Sequence, residues 1–450
     1  MKIKEIAVKN LFGMFDHIIP LNDKERITII HGSNGVGKTV ILKMIDGLFK
    51  GQYYKLRAFP FSELTITFDD KSVLKVNRDI KAEGGSAELN LEYTGNKKSK
   101  KEIAKLKPIR FDDIQILSRI IESEIYGIQR EDRTTWLYLP TQEKLSFEEV
   151  IERFGEQLPV IKSFLLDNDE PAWLKKFNSS ISIRFIETQR LLSFEASQRE
   201  SHDYYPGRGH STLIPAVSKF SVELSSTIQT TLAVYGSVSQ ELDRTFPVRL
   251  VQRKTSTLDI EKLIHKLISL EDKRASIMVA GILDKSEKSD RGSSIEFDKK
   301  NSAVLSVYAE DNERKLAIFD TITSKIELLK RIINKKFLNK EMTIDKKTGF
   351  VFKTLDGKSL SPTALSSGEQ HELILFYELL FKVSPNSLIL IDEPELSLHV
   401  AWQQEFLKDL ADITKLAEID ILIATHSPQI IHDRWDLTVE LKGHKESKES

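Results

Sequence analysis

Apolar and polar residues alternate over short stretches near the amino terminus, with the two-residue period of strands that have one buried face. Residues 3–8 alternate in this way, and so do stretches between Leu64 and Tyr93, such as 64–68 and 73–76. The turn residues Asp69-Asp70 and Gly84-Gly85 separate the stretches of this second region. The pattern predicts an antiparallel sheet in this part of the chain, with residues 3–8 as an edge strand.

The middle of the chain has helical spacing instead. Residues 113–176 are expected to be mostly helical, with a loop near 132–144. After residue 201, apolar residues recur every three or four positions in three stretches, which predicts three long amphipathic helices separated by polar breaks. These stretches are 217–235, 260–277 and 319–333, and the breaks are 246–256 and 285–301. Their apolar stripes either pack on one another as a short bundle or contact partners outside it.

Strand patterns return after residue 341. Residues 342–354 alternate around a turn, and the apolar run at 388–391 is typical of a buried strand in a parallel sheet. Helices are predicted from Ser367 and at 401–414. The chain is therefore expected to have an α/β fold, with an antiparallel β lobe and a mixed, mainly parallel sheet flanked by helices.

The predicted division has three domains and a tail. Residues 1–200 form an amino-terminal lobe, 201–340 a helical insertion or arm, and 341–440 a carboxy-terminal lobe that completes a head with the first. Residues 441–450 are charged and are expected to be disordered. A chain of 450 residues is long enough for this organisation.

The amino-acid composition excludes several classes of protein and several kinds of site. The formal net charge is −1, so the whole protein is not a polycation that coats nucleic acid. Cysteine is absent from the sequence, which excludes disulfides, zinc fingers and thiol catalysis. No apolar run approaches the roughly 18 residues of a membrane helix, and a cytoplasmic protein is expected. One basic run, at 97–110, is either a solvated loop or a local contact for the phosphates of DNA.

A glycine-rich stretch between a short strand and a helix fits the phosphate-loop pattern. It consists of Gly32, Ser33, Asn34, Gly35, Val36, Gly37, Lys38 and Thr39. Glycines let successive backbone N–H groups point at phosphate oxygens, and the following helix adds its positive end. Lys38 is placed to reach the β- and γ-phosphates of ATP, and Thr39 is placed to bind Mg²⁺. An accidental match in a glycine-rich turn is the alternative.

Two acidic residues follow the buried strand at 388–391. Asp392 is a candidate ligand of Mg²⁺, and Glu393 is a candidate catalytic residue that positions or deprotonates the attacking water. Alone, this pattern also fits a strand that meets the start of a helix. The phosphate loop earlier in the chain favours the catalytic interpretation.

A third segment opens the helix predicted from Ser367. Its candidate nucleotide-binding residues are Ser366, Ser367, Gly368 and Glu369. A serine caps such a helix and Glu369 lies in its first turn, so the segment is either a capped helix alone or an anion site that uses the same helix end.

In wording and order these motifs resemble those of ABC-type ATPases. Leu365–Gln370 resembles the signature motif, which in that superfamily binds the γ-phosphate held by a second head. The resemblance implies an ABC-type head that works as a dimer or higher oligomer with ATP and Mg²⁺ between subunits. It also implies that His426, after the last strand, is the catalytic switch histidine and that Gln189 contacts Mg²⁺ and the catalytic water. A polar strand end is the alternative for Gln189.

Within this superfamily the motifs resemble most closely the PtuA ATPases of the Septu anti-phage systems. The resemblance rests on the segments 185–191, 365–372, 392–399 and 424–431 and covers the middle of the chain only by length and helical character. It implies an oligomeric ATPase that controls a separate HNH nuclease subunit, PtuB, and is not itself a nuclease. Only some twenty-four residues follow His426, too few for the Toprim domain of OLD nucleases. A RecF- or SMC-like DNA repair ATPase, or a sensor with very slow hydrolysis, remains the alternative.

Overall fold

The computed structural model describes most of the chain. The described residues are 1–79, 87–96, 101–107, 111–125, 127–132, 135–139, 142–154, 170–186, 192–195, 212–252, 260–284 and 302–443. They fall into two compact units. The first unit combines Met1–Thr188 with Val383–Ser450, and the second is Gln189–Lys382.

An antiparallel sheet forms one part of the first unit, as its alternating pattern predicts. In the described residues its strand order is β2-β1-β4-β5-β6-β7. The strands are β1 (Ile3–Leu11), β2 (Phe15–Pro20), β4 (Glu63–Phe68), β5 (Val73–Asp79), β6 (Glu88–Thr94) and β7 (Lys101–Leu106). The prediction of an edge strand at 3–8 is wrong, since β1 lies between β2 and β4. Alternation reports one covered face, not the position of a strand within its sheet.

A parallel sheet forms the other part of the first unit, with the order β11-β17-β18-β3-β19. Its strands are β3 (Ile27–His31), β11 (Ile183–Ile186), β17 (Leu388–Asp392), β18 (Asp420–Ala424) and β19 (Thr438–Glu440). The register pairs Asp392 with Ala424 and Ala424 with Ile30. The carboxyl ends of β17, β18 and β3 therefore meet at one edge, where ligands bind in open parallel sheets.

The remaining elements of the first unit are helices and a small sheet. The helices are α1 (Lys38–Phe49), α2 (Tyr54–Ala58), α3 (Phe111–Glu124), α4 (Phe147–Phe154), α5 (Ala172–Ser179), α11 (Val400–Ala417) and α12 (Pro428–Ile431). The loop predicted near 132–144 is wrong. Strands β8 (Ile128–Arg130), β9 (Thr135–Tyr138) and β10 (Glu143–Ser146) pair there as an antiparallel sheet around the buried Trp136.

The second unit contains all three predicted amphipathic helices. Its helices are α6 (Ala216–Gln252), α7 (Ile260–Val279), α8 (Ser302–Ala317), α9 (Asp320–Lys336) and α10 (Ser367–Phe381). Its strands are β12 (Leu192–Glu195), β13 (Thr212–Pro215), β14 (Lys340–Asp345), β15 (Gly349–Thr354) and β16 (Ser359–Leu360). The hairpin predicted at 342–354 is confirmed as β14 and β15.

Two helical details differ from the pattern. Helix α6 continues to Gln252 with Pro247 inside it, so the break predicted from 246 begins later. Helix α8 was not predicted, because charged residues crowd its sequence. Its buried face includes Asp311, which accepts a hydrogen bond of 2.8 Å from Arg249 Nη2. Asp311, in an ion pair with Arg249, therefore lies at a buried position where the helical pattern would require an apolar residue.

Gln189 and residues 444–450 of the charged tail lie outside the described residues. Among the helices that are described, none combines the length and the apolar composition required to cross a membrane.

Candidate nucleotide site

The phosphate loop lies between β3 and α1, as the sequence predicts. Two of its glycines, Gly35 and Gly37, have left-handed φ values of +84° and +97°. A Cβ atom on Gly37 would lie 2.4 Å from Leu11 Cδ2, so the position requires glycine for space as well as for conformation. Gly37 also precedes α1 without a side-chain cap, which leaves the first N–H groups of the helix for a ligand.

A cavity of about 660 Å³ opens beside this loop. Its lining comes from the phosphate loop, from the residue that follows β1, and from the segments that follow β17 and β18. They include Phe12, Asn34, Gly35, Lys38, Thr39, Glu393 and His426. The volume is in the range of small-ligand sites. Residues separated by almost four hundred positions therefore share one cavity at the carboxyl edge of the parallel sheet.

The Lys38 ammonium is buried against uncharged acceptors. Its Nζ donates to the carbonyl oxygens of Gly32 and Ser33 at 2.9 and 3.0 Å and lies 3.3 Å from His426 Nδ1. Burial lowers the pKa of Lys38, and the nearby carboxylates of Glu393 and Asp392 act in the opposite direction. An ammonium held by neutral groups is a site for a phosphate oxygen, because the ligand would supply the missing negative charge.

Thr39 and Asp392 come together from opposite ends of the chain. Thr39 Oγ1 donates a hydrogen bond of 3.0 Å to Asp392 Oδ1. Burial raises the pKa of Asp392 to about 6, the Thr39 hydrogen bond lowers it, and the charge of Glu393 raises it. A buried carboxylate beside a hydroxyl fits Mg²⁺, which takes oxygen ligands and is usually held by one or two protein groups plus substrate phosphates. No group of three or more His, Asp or Glu side chains that could hold a metal ion occurs in the described residues.

Glu393 has a backbone conformation that is uncommon for a residue with a side chain. Its φ and ψ are 41° and 57°, in the left-handed region. Its N–H donates a hydrogen bond of 2.8 Å to Ala424 O, and its Oε1 lies 3.7 Å from His426 Nε2. The side chain is partly exposed and faces the cavity.

Three residues of this site escaped the sequence reasoning. Glu395 accepts hydrogen bonds of 2.8 Å from Thr425 Oγ1 and from the His426 N–H. Gln403 Oε1 accepts a hydrogen bond of 2.9 Å from Ser427 Oγ. Phe12, at the end of β1, lines the cavity. The sequence shows two acidic residues around Pro394 and the loop with His426, but no local pattern indicates that Glu395 contacts that loop.

The predicted signature segment lies in the second unit, at the start of α10. Ser366 caps this helix in a reciprocal arrangement with Glu369, whose Oε2 accepts the Ser366 N–H at 2.8 Å. The predicted capped helix is confirmed. Burial raises the pKa of Glu369, but hydrogen bonds from Lys340 and Ser366 outweigh it and the net pKa is lowered. Ser366 and Ser367 are exposed, and Gly368 is half-buried.

The parallel sheet, with a phosphate loop between β3 and α1, defines a P-loop ATPase. The chain belongs to the AAA ATPase domain family AAA_15, whose model matches residues 1–431. The protein is therefore an ATP-hydrolysing enzyme. The individual roles of Lys38, Glu393 and the other site residues are proposals that rest on the geometry above.

One curated relative and several solved structures are similar to the chain. The probable ATPase of retron Ec83 from Escherichia coli is 38% identical over 85 residues, which cover 16% of this chain and only 15% of the relative. An SMC head domain from Pyrococcus furiosus, bound to the carboxy-terminal domain of ScpA, aligns over 96% of this chain and 91% of its own, with 12% identity and a TM-score of 0.32. The SMC head domain from Thermotoga maritima aligns over 98% and 94%, with 11% identity and a TM-score of 0.31.

Proposed function

We propose that this protein is the ATPase subunit of a cytoplasmic anti-phage defence complex of the PtuA kind. In this proposal it forms homo-oligomers with ATP between heads and controls a partner HNH nuclease. The motif resemblance to PtuA supports the defence role, and so does the short match to a probable retron ATPase. ATP acts as a conformational ligand, because a nucleotide that binds one assembly state better shifts the population toward it.

The observation that carries the oligomer is the exposed start of α10. Its capping arrangement uses the N–H of Glu369 and the Ser366 hydroxyl, while the first-turn residues Ser367 and Gly368 are exposed and half-buried. Lys340 Nζ, 2.7 Å from Glu369 Oε1, offsets the negative charge of that carboxylate. An exposed helix start with a neutralised acid suits the γ-phosphate of an ATP held by a second copy.

The residues of the first unit then take separate roles. Lys38 and the N–H groups of the phosphate loop bind the phosphates, and Thr39 and Asp392 hold Mg²⁺, which neutralises charge on them. Glu393 orients the attacking water and accepts its proton. His426 lies between Lys38 and Glu393 and senses the γ-phosphate from that position. Gln189 is proposed as an additional contact to Mg²⁺ and water.

The test begins with the natural neighbours of the protein. The tagged chain is expressed from its own operon and purified, and co-purifying proteins are identified by mass spectrometry. We expect a small HNH protein in stable complex with an oligomer of this chain. A lone ATPase without a nuclease partner, active or not, contradicts the proposal.

Nucleotide control is tested in the same complex. Lys38→Ala is expected to weaken ATP binding at least about a hundredfold, since it removes a charge-assisted contact to two phosphates. It should also change nuclease activity in the complex. Lys24→Ala, at an exposed position in the same unit, is the control. Unchanged ATP affinity in Lys38→Ala refutes the phosphate-loop assignment, and altered affinity without altered nuclease activity refutes nucleotide control.

A RecF- or SMC-like DNA repair ATPase is the second candidate, and strand β7 favours it. The prediction of a loop at 97–110 is wrong for residues 101–106, because Lys101–Leu106 forms β7, the last strand of the antiparallel sheet. Lys101, Lys105 and Lys107 are exposed, although Lys101 also pairs with Glu92 at 2.8 Å. This candidate predicts DNA-stimulated hydrolysis without any partner, lost when Lys105 and Lys107 become glutamine. The defence proposal predicts that hydrolysis in the absence of a partner is the same with and without DNA.

A further inference from the structure

A second cavity lies within the second unit, between helices α6, α9 and α10. Its volume is about 520 Å³. The side chains that decide its chemistry are Glu223, Lys325, Tyr377, Phe381 and Lys382. None of them lines the candidate nucleotide site, so a ligand of this cavity would be independent of the proposed function. Hydroxyl groups of Thr227 and Thr321 and the apolar Ile322 complete the part of the wall that matters here.

Tyr377 lines this cavity with a largely buried side chain. The residue is only 2% exposed, and its ring stacks between Phe220 and Phe381 with both centroid distances at 4.9 Å. Because both ring faces are covered, the ring edge is what remains for the cavity. No hydrogen bond joins the hydroxyl to another described residue. Burial raises the pKa of Tyr377, and Glu223 raises it further, so the hydroxyl remains a donor.

Lys325 contributes a cation that forms no ion pair with any acid of the described residues. It is half-buried, and its Nζ lies 5.8 Å from the centre of the Phe381 ring. Among the described residues, no carboxylate lies within ion-pair distance of it. Burial lowers the pKa of Lys325, without an acidic neighbour to raise it. Lys382 differs, since its ammonium pairs with Glu223 on the same cavity wall.

The charges of the wall therefore leave one positive charge in excess. Lys382 and Glu223 compensate each other, whereas Lys325 remains with the face of an aromatic ring. A half-buried ammonium without a counter-ion is costly, and an anion that enters the cavity would remove that cost. The Tyr377 hydroxyl would at the same time donate a hydrogen bond to that anion.

We infer that this cavity binds a small organic anion, with a phosphate or carboxylate group held by Lys325 and Tyr377 and an apolar body against Phe381 and Ile322. The volume suits a ligand with an aromatic ring and one charged group, because small-ligand sites combine apolar walls with a few convergent polar groups. A purely inorganic anion would leave the apolar wall uncovered and should bind more weakly.

The experiment uses phenyl phosphate as the probe and isothermal titration calorimetry as the measurement. The full-length protein is first saturated with Mg²⁺ and a non-hydrolysable ATP analogue, so that the phosphate loop cannot take the probe. We expect saturable binding of phenyl phosphate that is at least about tenfold tighter than that of inorganic phosphate, because only the former covers the apolar wall. Benzyl alcohol, which lacks the charge, should bind more weakly than phenyl phosphate by a similar factor.

Substitutions of Lys325 and Tyr377 test whether these two side chains contact the probe. Lys325→Met is expected to weaken phenyl phosphate binding at least about tenfold and Tyr377→Phe about threefold to tenfold, since they remove a charged and a neutral donor. Lys330→Met on the same helix is the matched control, because its ammonium donates to Val279 O, a residue that does not line the cavity. Thermal melting checks that each variant is folded. Absence of saturable binding at millimolar probe, or equal affinity in Lys325→Met and Lys330→Met, overturns the inference.

Discussion

The backbone N–H of His426 donates a hydrogen bond of 2.8 Å to the carboxylate of Glu395. The same oxygen accepts the hydroxyl of Thr425, also at 2.8 Å. These contacts tie the turn after β18 to the segment after β17. His426 is thereby held with Nδ1 3.3 Å from Lys38 Nζ and Nε2 3.7 Å from Glu393 Oε1. We therefore expect Glu395 to be a positioning residue for the histidine that lies between Lys38, the proposed phosphate-binding residue, and Glu393, the proposed general base.

Replacement of Glu395 should therefore affect turnover more than nucleotide binding. Glu395→Ala removes two hydrogen bonds to a carboxylate, each typically about 1.5–3 kcal/mol, and allows His426 to shift. We expect kcat for ATP hydrolysis to fall about 10- to 100-fold while the Kd for ATP changes less than about threefold, because Lys38 and the loop glycines remain in place. Single-turnover hydrolysis and binding of a fluorescent nucleotide separate the two quantities.

Two further variants distinguish positioning from general destabilisation. Glu395→Gln retains an acceptor oxygen and should recover part of the lost turnover. Glu440→Gln, an exposed carboxylate on β19, should behave as wild type. If Glu395→Ala lowers Tm but leaves kcat unchanged in the folded fraction, the positioning role is wrong.

Glu393→Gln should separate ATP binding from hydrolysis. The amide keeps the size of the side chain and its left-handed backbone but cannot accept a proton, so hydrolysis should fall at least about a hundredfold. ATP affinity should stay within a few-fold of wild type. Under the proposed function, ATP then holds the heads together, and light scattering should detect a larger assembly with ATP than without. Retained turnover in Glu393→Gln would place the general base elsewhere.

Much of the nucleotide site was predictable because its geometry follows from chain order. The glycine-rich turn follows one strand, Asp392 and Glu393 follow a second and His426 follows a third. Carboxyl ends of parallel strands meet at one edge, so a reader of the sequence expects these side chains to be neighbours. The register that pairs Asp392 with Ala424 confirms that expectation.

The features that the sequence did not predict depend on tertiary contacts, which the spacing of apolar residues does not indicate. Glu395 acts through the backbone of a loop thirty residues later, and no local pattern indicates that hydrogen bond. Helix α8 buries Asp311 against Arg249, so a polar residue stands where an apolar stripe was sought. The position of β1 within its sheet depends on β2 and β4, which pair with it by tertiary contact.

Ser367→Arg tests the proposed role of the exposed helix start without touching the phosphate loop. Arginine at this position opposes the helix dipole by only about 0.3–1 kcal/mol at an exposed site, so folding should be retained. A bulky side chain would still prevent a second copy's triphosphate from reaching Gly368. We expect normal ATP binding with loss of ATP-dependent assembly and of hydrolysis. Ser367→Ala is the matched control, and assembly by Ser367→Arg equal to that of Ser367→Ala would exclude the α10 start from the interface.

The most buried ion pair among the described residues gives a prediction about stability. The Lys336 ammonium contacts the Glu372 carboxylate, and both side chains are at most 1% exposed. Lys336 Nζ also lies 4.7 Å from the centre of the Phe376 ring. Removal of one partner leaves the other charge buried, which typically costs about 3–5 kcal/mol, whereas replacement of both partners by apolar residues is often nearly neutral.

Lys336→Met should therefore lower the free energy of unfolding by about 3–5 kcal/mol, and the double variant Lys336→Met/Glu372→Leu should recover most of that loss. Urea denaturation followed by circular dichroism and by tryptophan fluorescence measures both, and two probes are needed because the chain has two compact units. Lys346→Met breaks an ion pair with the exposed Asp284 and should cost at most about 1 kcal/mol. If the double variant is no more stable than Lys336→Met, the buried pair stabilises the fold through its own attraction, and the expected desolvation penalty does not dominate.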